Sequence, residues 1–189
     1  THVHLLPIFD YGRLNELDPQ SDYNWGYDPE NYNVPEGSYS SDPRNPEARI
    51  RELKELILAL HKKGIGAVMD VVYNHTYSLE NSNLNKSFPS YYYRYKDGKP
   101  SNGSGCGNEI ASERSMCRKY IIDSVLYWAK EYKIDGFRFD LMAVLDAHTL
   151  NELAERLMRI NPSVILYGEG WSGGPIALSP ELAASKQNS

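Results

Sequence analysis

Residues 65–75 read IGAVMDVVYNH, and the first part of that stretch, Ile65–Val72, decides the fold class. It is a continuous apolar run rich in β-branched residues, with Asp70 its one charge. A strand exposed on one face would alternate apolar and polar. An unbroken run is expected of a strand covered on both faces, as in a parallel sheet.

Working outward, the same pattern recurs. Upstream, His2–Phe9 (HVHLLPIF) reads as a buried strand; downstream, Ile134–Phe139 and Val164–Tyr167 read as two more. Helical spacing fills the intervals. From Pro46, with Glu47 suited to a first turn, Ile50, Leu53, Leu56, Ile57 and Leu60 mark one apolar face, and Gly64 reads as a stop. A second helix spans about Ser112 to Tyr132, with Ile121, Ile122, Val125, Leu126 and Trp128 on its apolar side. A third, Ala147–Ile160, ends at Asn161–Pro162, because the residue before proline is biased away from helix. Two long connections remain: Asp10 to about Pro46, and Tyr73 to about Ile110, with an insertion at about 76–111 of a single domain covering 1–189. Strand–helix alternation of this kind gives right-handed parallel crossovers. On pattern alone, a doubly wound sheet and a (β/α)8 barrel both fit.

Composition narrows the partners. With 41% hydrophobic and 24% charged residues, the 189-residue chain has the balance of a globular domain, and no run approaches the roughly 18 apolar residues of a membrane span. A net charge of −5 gives no basic footprint, which argues against nucleic acid and anionic membrane. Fifteen Tyr and three Trp, several in YNWGY (Tyr23–Tyr27) and SYYYRY (Ser90–Tyr95), suit either amphipathic packing or stacking platforms for sugar rings. Cys106 and Cys117 could pair across a loop or stay free.

Three strands end in acid-bearing motifs: DVVYNH (Asp70–His75), GFRFD (Gly136–Asp140) and YGEGW (Tyr167–Trp171). One carboxylate at a strand end often caps the next helix. Three of them, with Arg138 and His75 beside them, point into one pocket at the carboxyl edge of a parallel sheet. Glycoside hydrolysis needs two carboxyls in different protonation states, about 5–5.5 Å apart for retention. Arg138, two residues before Asp140, shares its strand face and should favour an ionised nucleophile. Glu169, between two glycines and near Tyr167 and Trp171, should be partly desolvated and so raised toward a general acid. A metal site is the rival reading, with His2 and His4 alternating on one strand and His75 beyond another. No HExxH, CxxC or EF-hand spacing supports it, so no metal ligand is expected.

These motifs resemble, in order, the first three signature regions of the α-amylase family of (β/α)8-barrel glycoside hydrolases. YNWGYDP (Tyr23–Pro29), FRFDLM (Phe137–Met142) and YGEGW narrow the resemblance to type I pullulanases. The resemblance implies Asp140 as nucleophile, Glu169 as acid/base, and Arg138 as the residue that orients Asp140. It implies that Asp70 supports Arg138, that His75 hydrogen-bonds the sugar, and that Tyr27 stacks beneath it. Trp171 would border the acceptor side, while Leu141 and Met142 would shape the pocket. The strands would be strands 2 to 5 of a TIM-type barrel, so the chain would be a partial catalytic domain. It would lack the third carboxylate, which the family carries beside a His after strand 7, and would be inactive alone. The implied substrates are α-1,6 branch linkages in pullulan, limit dextrins and amylopectin, with no nucleic acid or membrane partner and no required cofactor beyond the calcium some relatives bind. Isoamylase-like or α-1,4-acting hydrolysis, or glucan binding without catalysis, are the alternatives.

Overall fold

The computed structural model describes residues 1–185. Its centre is a four-stranded, all-parallel sheet built from β1 (His2–Leu5), β4 (Gly66–Val71), β7 (Gly136–Phe139) and β8 (Ile165–Gly168), side by side in that order. The apolar run at Ile65–Val72 supplies β4, between β1 and β7; Ala67, Val68, Met69 and Val71 are all buried. Asp70, Arg138 and Tyr167 pair across three neighbouring strands in one row. All four carboxyl ends therefore face one edge.

The helices lie where the spacing places them. In α1 (Pro46–Lys62), Asn45 caps the first turn by accepting from the Glu47 amide, and proline occupies a position whose missing N–H costs nothing. Beyond it Gly64 takes φ +69°, the left-handed turn that reverses the chain into β4. In α3 (Ser115–Glu131), Cys117, Ile121, Ile122, Val125 and Trp128 are buried in the core shared with the sheet. In α4 (Ala147–Ile160), the Asp146 side chain caps the helix by accepting from Thr149 N at 2.9 Å.

Several expectations change. His2–Phe9 is not one strand: the chain leaves the sheet after Leu5, where Pro7 has no N–H to give, and Phe9–Tyr11 (β2) pairs antiparallel with Pro29–Pro35 (β3). The connection from Asp10 to Pro46 therefore has strands of its own. So does the insertion after Tyr73, which holds α2 (Asn83–Ser87) and a hairpin of β5 (Tyr95–Lys96) and β6 (Lys99–Pro100). The hairpin turns at Asp97–Gly98, both at positive φ, as a two-residue loop requires. The aromatic excess divides. Tyr32, Tyr73, Tyr93, Tyr132 and Trp128 are fully buried, whereas Tyr23 and Trp25 are exposed. Cys106 and Cys117 are free thiols.

Candidate active site

The parallel ladder continues past the ends of β7 and β8: the Asp140 amide donates to Val71 O and the Glu169 amide to Phe139 O, both at 3.0 Å. Asp140 and Glu169 are thereby fixed as the first residues beyond two adjacent strands. Arg138 joins them. Its Nη1 donates to Asp70 Oδ1 at 2.8 Å and Oδ2 at 3.0 Å and to Asp140 Oδ1 at 3.1 Å, while its Nη2 pairs with Glu169 Oε1. Three carboxylates share one guanidinium. Burial alone would lower the Arg138 pKa, but those partners outweigh it and hold the group well above its ordinary value.

Asp70 is buried and fully engaged. Besides Arg138, it accepts from the Tyr27 hydroxyl at 2.7 Å, and His4 Nε2 lies 3.3 Å from the same oxygen. The hydroxyl contact ties Tyr27, half-buried, to the strand ends, and burial together with Asp70 keeps it a protonated donor.

Asp140 departs from the expected electrostatics. Burial pushes its carboxyl up to about 6, against the lowering contributions of an Asn74 hydrogen bond and the Arg138 charge, with Glu169 adding to the rise. Sequence adjacency to Arg138 reveals the attractive pair but not the desolvation that exceeds it.

Around the two acids the backbone is unusual. Leu141 adopts φ +42°, rare for a branched residue, and its amide donates to Glu169 Oε2 at 3.2 Å. Met142 packs against Gly168, where a Cβ would stand 2.8 Å from both Met142 Sδ and Phe139 O. Trp171 is half exposed, its carbonyl accepting from Ala143 N at 3.3 Å. His75 is buried; desolvation lowers it to about 4 although Asp28 and the Tyr27 carbonyl favour its protonated form, so the ring is neutral.

Three further residues shape the site. Asn74 stands inside the quoted DVVYNH motif; its Nδ2 donates to Asp140 O and Oδ2, both at 2.9 Å. Arg94 and Glu109 are both buried in the insertion. Arg94 Nη1 donates to Val144 O at 2.7 Å, just beyond Leu141 and Met142, and pairs with Glu109 at 3.4 Å and, through Nη2, Glu113 at 2.8 Å. Glu109 in turn accepts from Gly103 N at 2.6 Å and from Ala177 N at 2.9 Å. The insertion is thus fastened both to the turn after Asp140 and to the segment after Glu169. Gly174 N donates to Gly103 O at 2.9 Å, and a Cβ at Gly173 would overlap the Ser104 carbonyl. Only a buried charge with several partners explains these two residues, and burial is not written in local sequence.

Among the described residues, the one cluster with cation-ligand geometry is Asp10, Glu16 and Glu36. It does not fit a bound cation: Glu16 is occupied by Arg49, Glu36 by the Tyr11 and Ser38 amides, and Asp10 by Asn31.

No protein-family model matches the chain. It is 49% identical over 172 residues to pullulanase of Bacillus subtilis (strain 168), covering 90% of this chain and 24% of that protein. The crystal structure of pullulanase from Paenibacillus barengoltzii in complex with maltohexaose and α-cyclodextrin matches with TM-score 0.94 at 53% identity, over 100% of this chain and 30% of that one. Isoamylase 3, chloroplastic, of Oryza sativa subsp. japonica is 38% identical over 157 residues, covering 76% of this chain and 20% of that protein. The chain thus spans about a quarter of the length of the relatives it matches.

Proposed function

We propose that this chain, which belongs to the pullulanase family, supplies the nucleophile and the acid/base of a retaining, α-glucan-debranching glycoside hydrolase. One observation carries the reading. Asp140 and Glu169 leave adjacent parallel strands in the same direction and meet on two nitrogens of one guanidinium. Two carboxyls so placed can act on one glycosidic bond from opposite roles.

In that reading the ionised Asp140 attacks the anomeric carbon while Glu169 protonates the departing glycosidic oxygen. Glu169, now a carboxylate, takes a proton from the water that releases the sugar. Arg138 orients both acids and is itself held by Asp70. The hydroxyl tether of Tyr27 to Asp70 sets its ring as the floor for the sugar; His75 binds a sugar hydroxyl, Trp171 borders the acceptor side, and Leu141 and Met142 shape the wall. The four parallel strands are read as strands 2 to 5 of a (β/α)8 barrel, with the 76–111 insertion as part of its rim. Because the chain spans about a quarter of its relatives, the activity is that of a protein of their full length. Its substrates are α-1,6 branch points in pullulan, limit dextrins and amylopectin. The likeness to an isoamylase supports a second reading, in which the debranching is isoamylase-like.

Two measurements on the full-length enzyme test this. Comparative turnover of pullulan, glycogen and amylose separates the two debranching readings from α-1,4 hydrolysis. Acid-quenched mass spectrometry should find a glycosylated Asp140 in the wild type and none in Asp140→Asn, which keeps the shape but not the nucleophile. Near-normal turnover by Asp140→Asn with retained anomeric configuration sinks the assignment.

A further inference from the structure

We infer that Asn74 is a positioning residue for the nucleophile, holding one carboxylate oxygen of Asp140 with one end of its amide and fixing, with the other, which nitrogen of His75 carries the proton. The inference rests on the reading of Asp140 as nucleophile.

Asn74 is fully buried three residues past the end of β4, and Ile110 N donates to its carbonyl at 2.9 Å, so the insertion pins its backbone. Its Nδ2 forks onto Asp140 O and Oδ2, while Arg138 Nη1 takes Oδ1. The two oxygens of Asp140 are therefore held by different donors, one on β7 and one beyond the end of β4. The carboxylate plane cannot rotate without losing one of them. The reversed amide would set an oxygen against both a carbonyl and a carboxylate, so nitrogen must face Asp140. That leaves Oδ1 toward His75 Nδ1, 2.6 Å away. An amide oxygen only accepts, so Nδ1 carries the proton of the neutral ring. Nε2 is buried and meets no hydrogen-bond partner among the described residues, while the Tyr27 carbonyl lies near the ring. An unprotonated Nε2 can accept from a sugar hydroxyl but cannot donate to one. One amide thus orients the attacking group and sets the polarity of the neighbouring binding group.

The charged and titratable groups facing Asp140 are Arg138 on its own strand, Asp70 on β4, Glu169 after β8, Tyr27 from the loop before β3, and Cys106 from the insertion. Among them, the Asn74 hydrogen bond favours the ionised carboxylate.

The test uses pH–rate profiles of the full-length enzyme and its Asn74→Ala and Asn74→Asp variants on pullulan. Loss of one hydrogen bond to a charged group should move the acid limb of kcat/KM up by about one pH unit, with kcat falling more than KM changes. Asn74→Asp keeps the acceptor for His75 but opposes a second carboxylate to Asp140, so its limb should move further. A merely structural role would lower stability and leave the limb in place. An unmoved limb in either folded variant overturns the inference. Nitrogen-15 spectra of the wild-type histidines, with His75 assigned from a His75→Gln spectrum, decide independently of variant folding. A ring protonated at Nδ1 is expected, and one protonated at Nε2 overturns the inference. If Asp140→Asn still turns over, the nucleophile reading has failed; if it is dead while the Asn74 limb stays fixed, only the inference has.

Discussion

Replacing Gly168 by Ala tests whether the distance between β7 and β8 sets the chemistry. The added Cβ would stand 2.8 Å from Met142 Sδ and 2.8 Å from Phe139 O, where ordinary contact begins near 3.4 Å. The thioether can swing aside. The Phe139 carbonyl cannot, because it accepts from Glu169 N at 3.0 Å in the ladder that fixes Glu169. The strands must therefore part by about 0.6 Å at the point where Asp140 and Glu169 leave them. Overpacking of this kind costs about 1–3 kcal/mol, and a displacement of about 1 Å at reacting groups can cost about 100-fold. The expected result in the full-length enzyme is a drop in kcat/KM on pullulan of about 10- to 100-fold, with unchanged far-ultraviolet dichroism. Gly64→Ala is the internal control. At φ +69° with nothing within 4 Å of its Cβ, it should cost about 1 kcal/mol from backbone strain alone and leave kcat/KM unchanged. A Gly168→Ala enzyme within threefold of wild type would refute the argument that this strand spacing positions the acids.

Two pH predictions follow from burial. The Asp140 carboxyl sits at about 6 against an ordinary 3.8, so the folded state holds that proton more tightly and loses stability as pH rises from about 4 through 6. Asp140→Asn removes that cost. Its thermal midpoint should exceed wild type at pH 7, where the difference is worth up to about 3 kcal/mol, and match it near pH 4; no gain at pH 7 would show that Arg138 and Asn74 outweigh burial. His75 shows the opposite sign. Buried neutral at about 4 against an ordinary 6.5, it contributes stability that is complete above 6.5 and is lost as pH falls from there through 4. His75→Gln should flatten the decline of the urea midpoint across that window, and an unchanged slope would place the acid sensitivity elsewhere.

What could be read from the sequence was whatever a single strand or helix decides by itself. Ile65–Val72 announces a strand covered on both faces because every position is apolar except the one that turns out to hold Arg138. The third helix is bounded as the structure bounds it, because Asn161–Pro162 supplies a local stop. His2–Phe9 misled for the converse reason: its apolar run is continuous, and only the pairing of Phe9 with Pro35 shows that Pro7 divides it between two sheets. The Asp97–Gly98 turn was legible by the rules of two-residue hairpins, yet lay within a segment whose polarity suggested no elements. Asp70, Arg138, Asp140 and Glu169 stood out because each ends or adjoins an apolar run. Arg94 and Glu109 did not, since their burial is set by residues far along the chain: Val144 and Ala177.

The apposition of Gly173 with Ser104 has a consequence for motion. The amides of Gly174 and Ala177 are satisfied across the seam between the insertion and the segment following Glu169, by Gly103 O and the Glu109 carboxylate, and the same carboxylate holds the Gly103 amide within the insertion. The two backbones touch without side chains to cushion them, so opening one of these bonds disturbs the others. The seam is expected to open as one unit, its amides sharing a single opening free energy in hydrogen exchange. A side chain at residue 173 would break the seam itself, and with it the link between the insertion and the segment after Glu169.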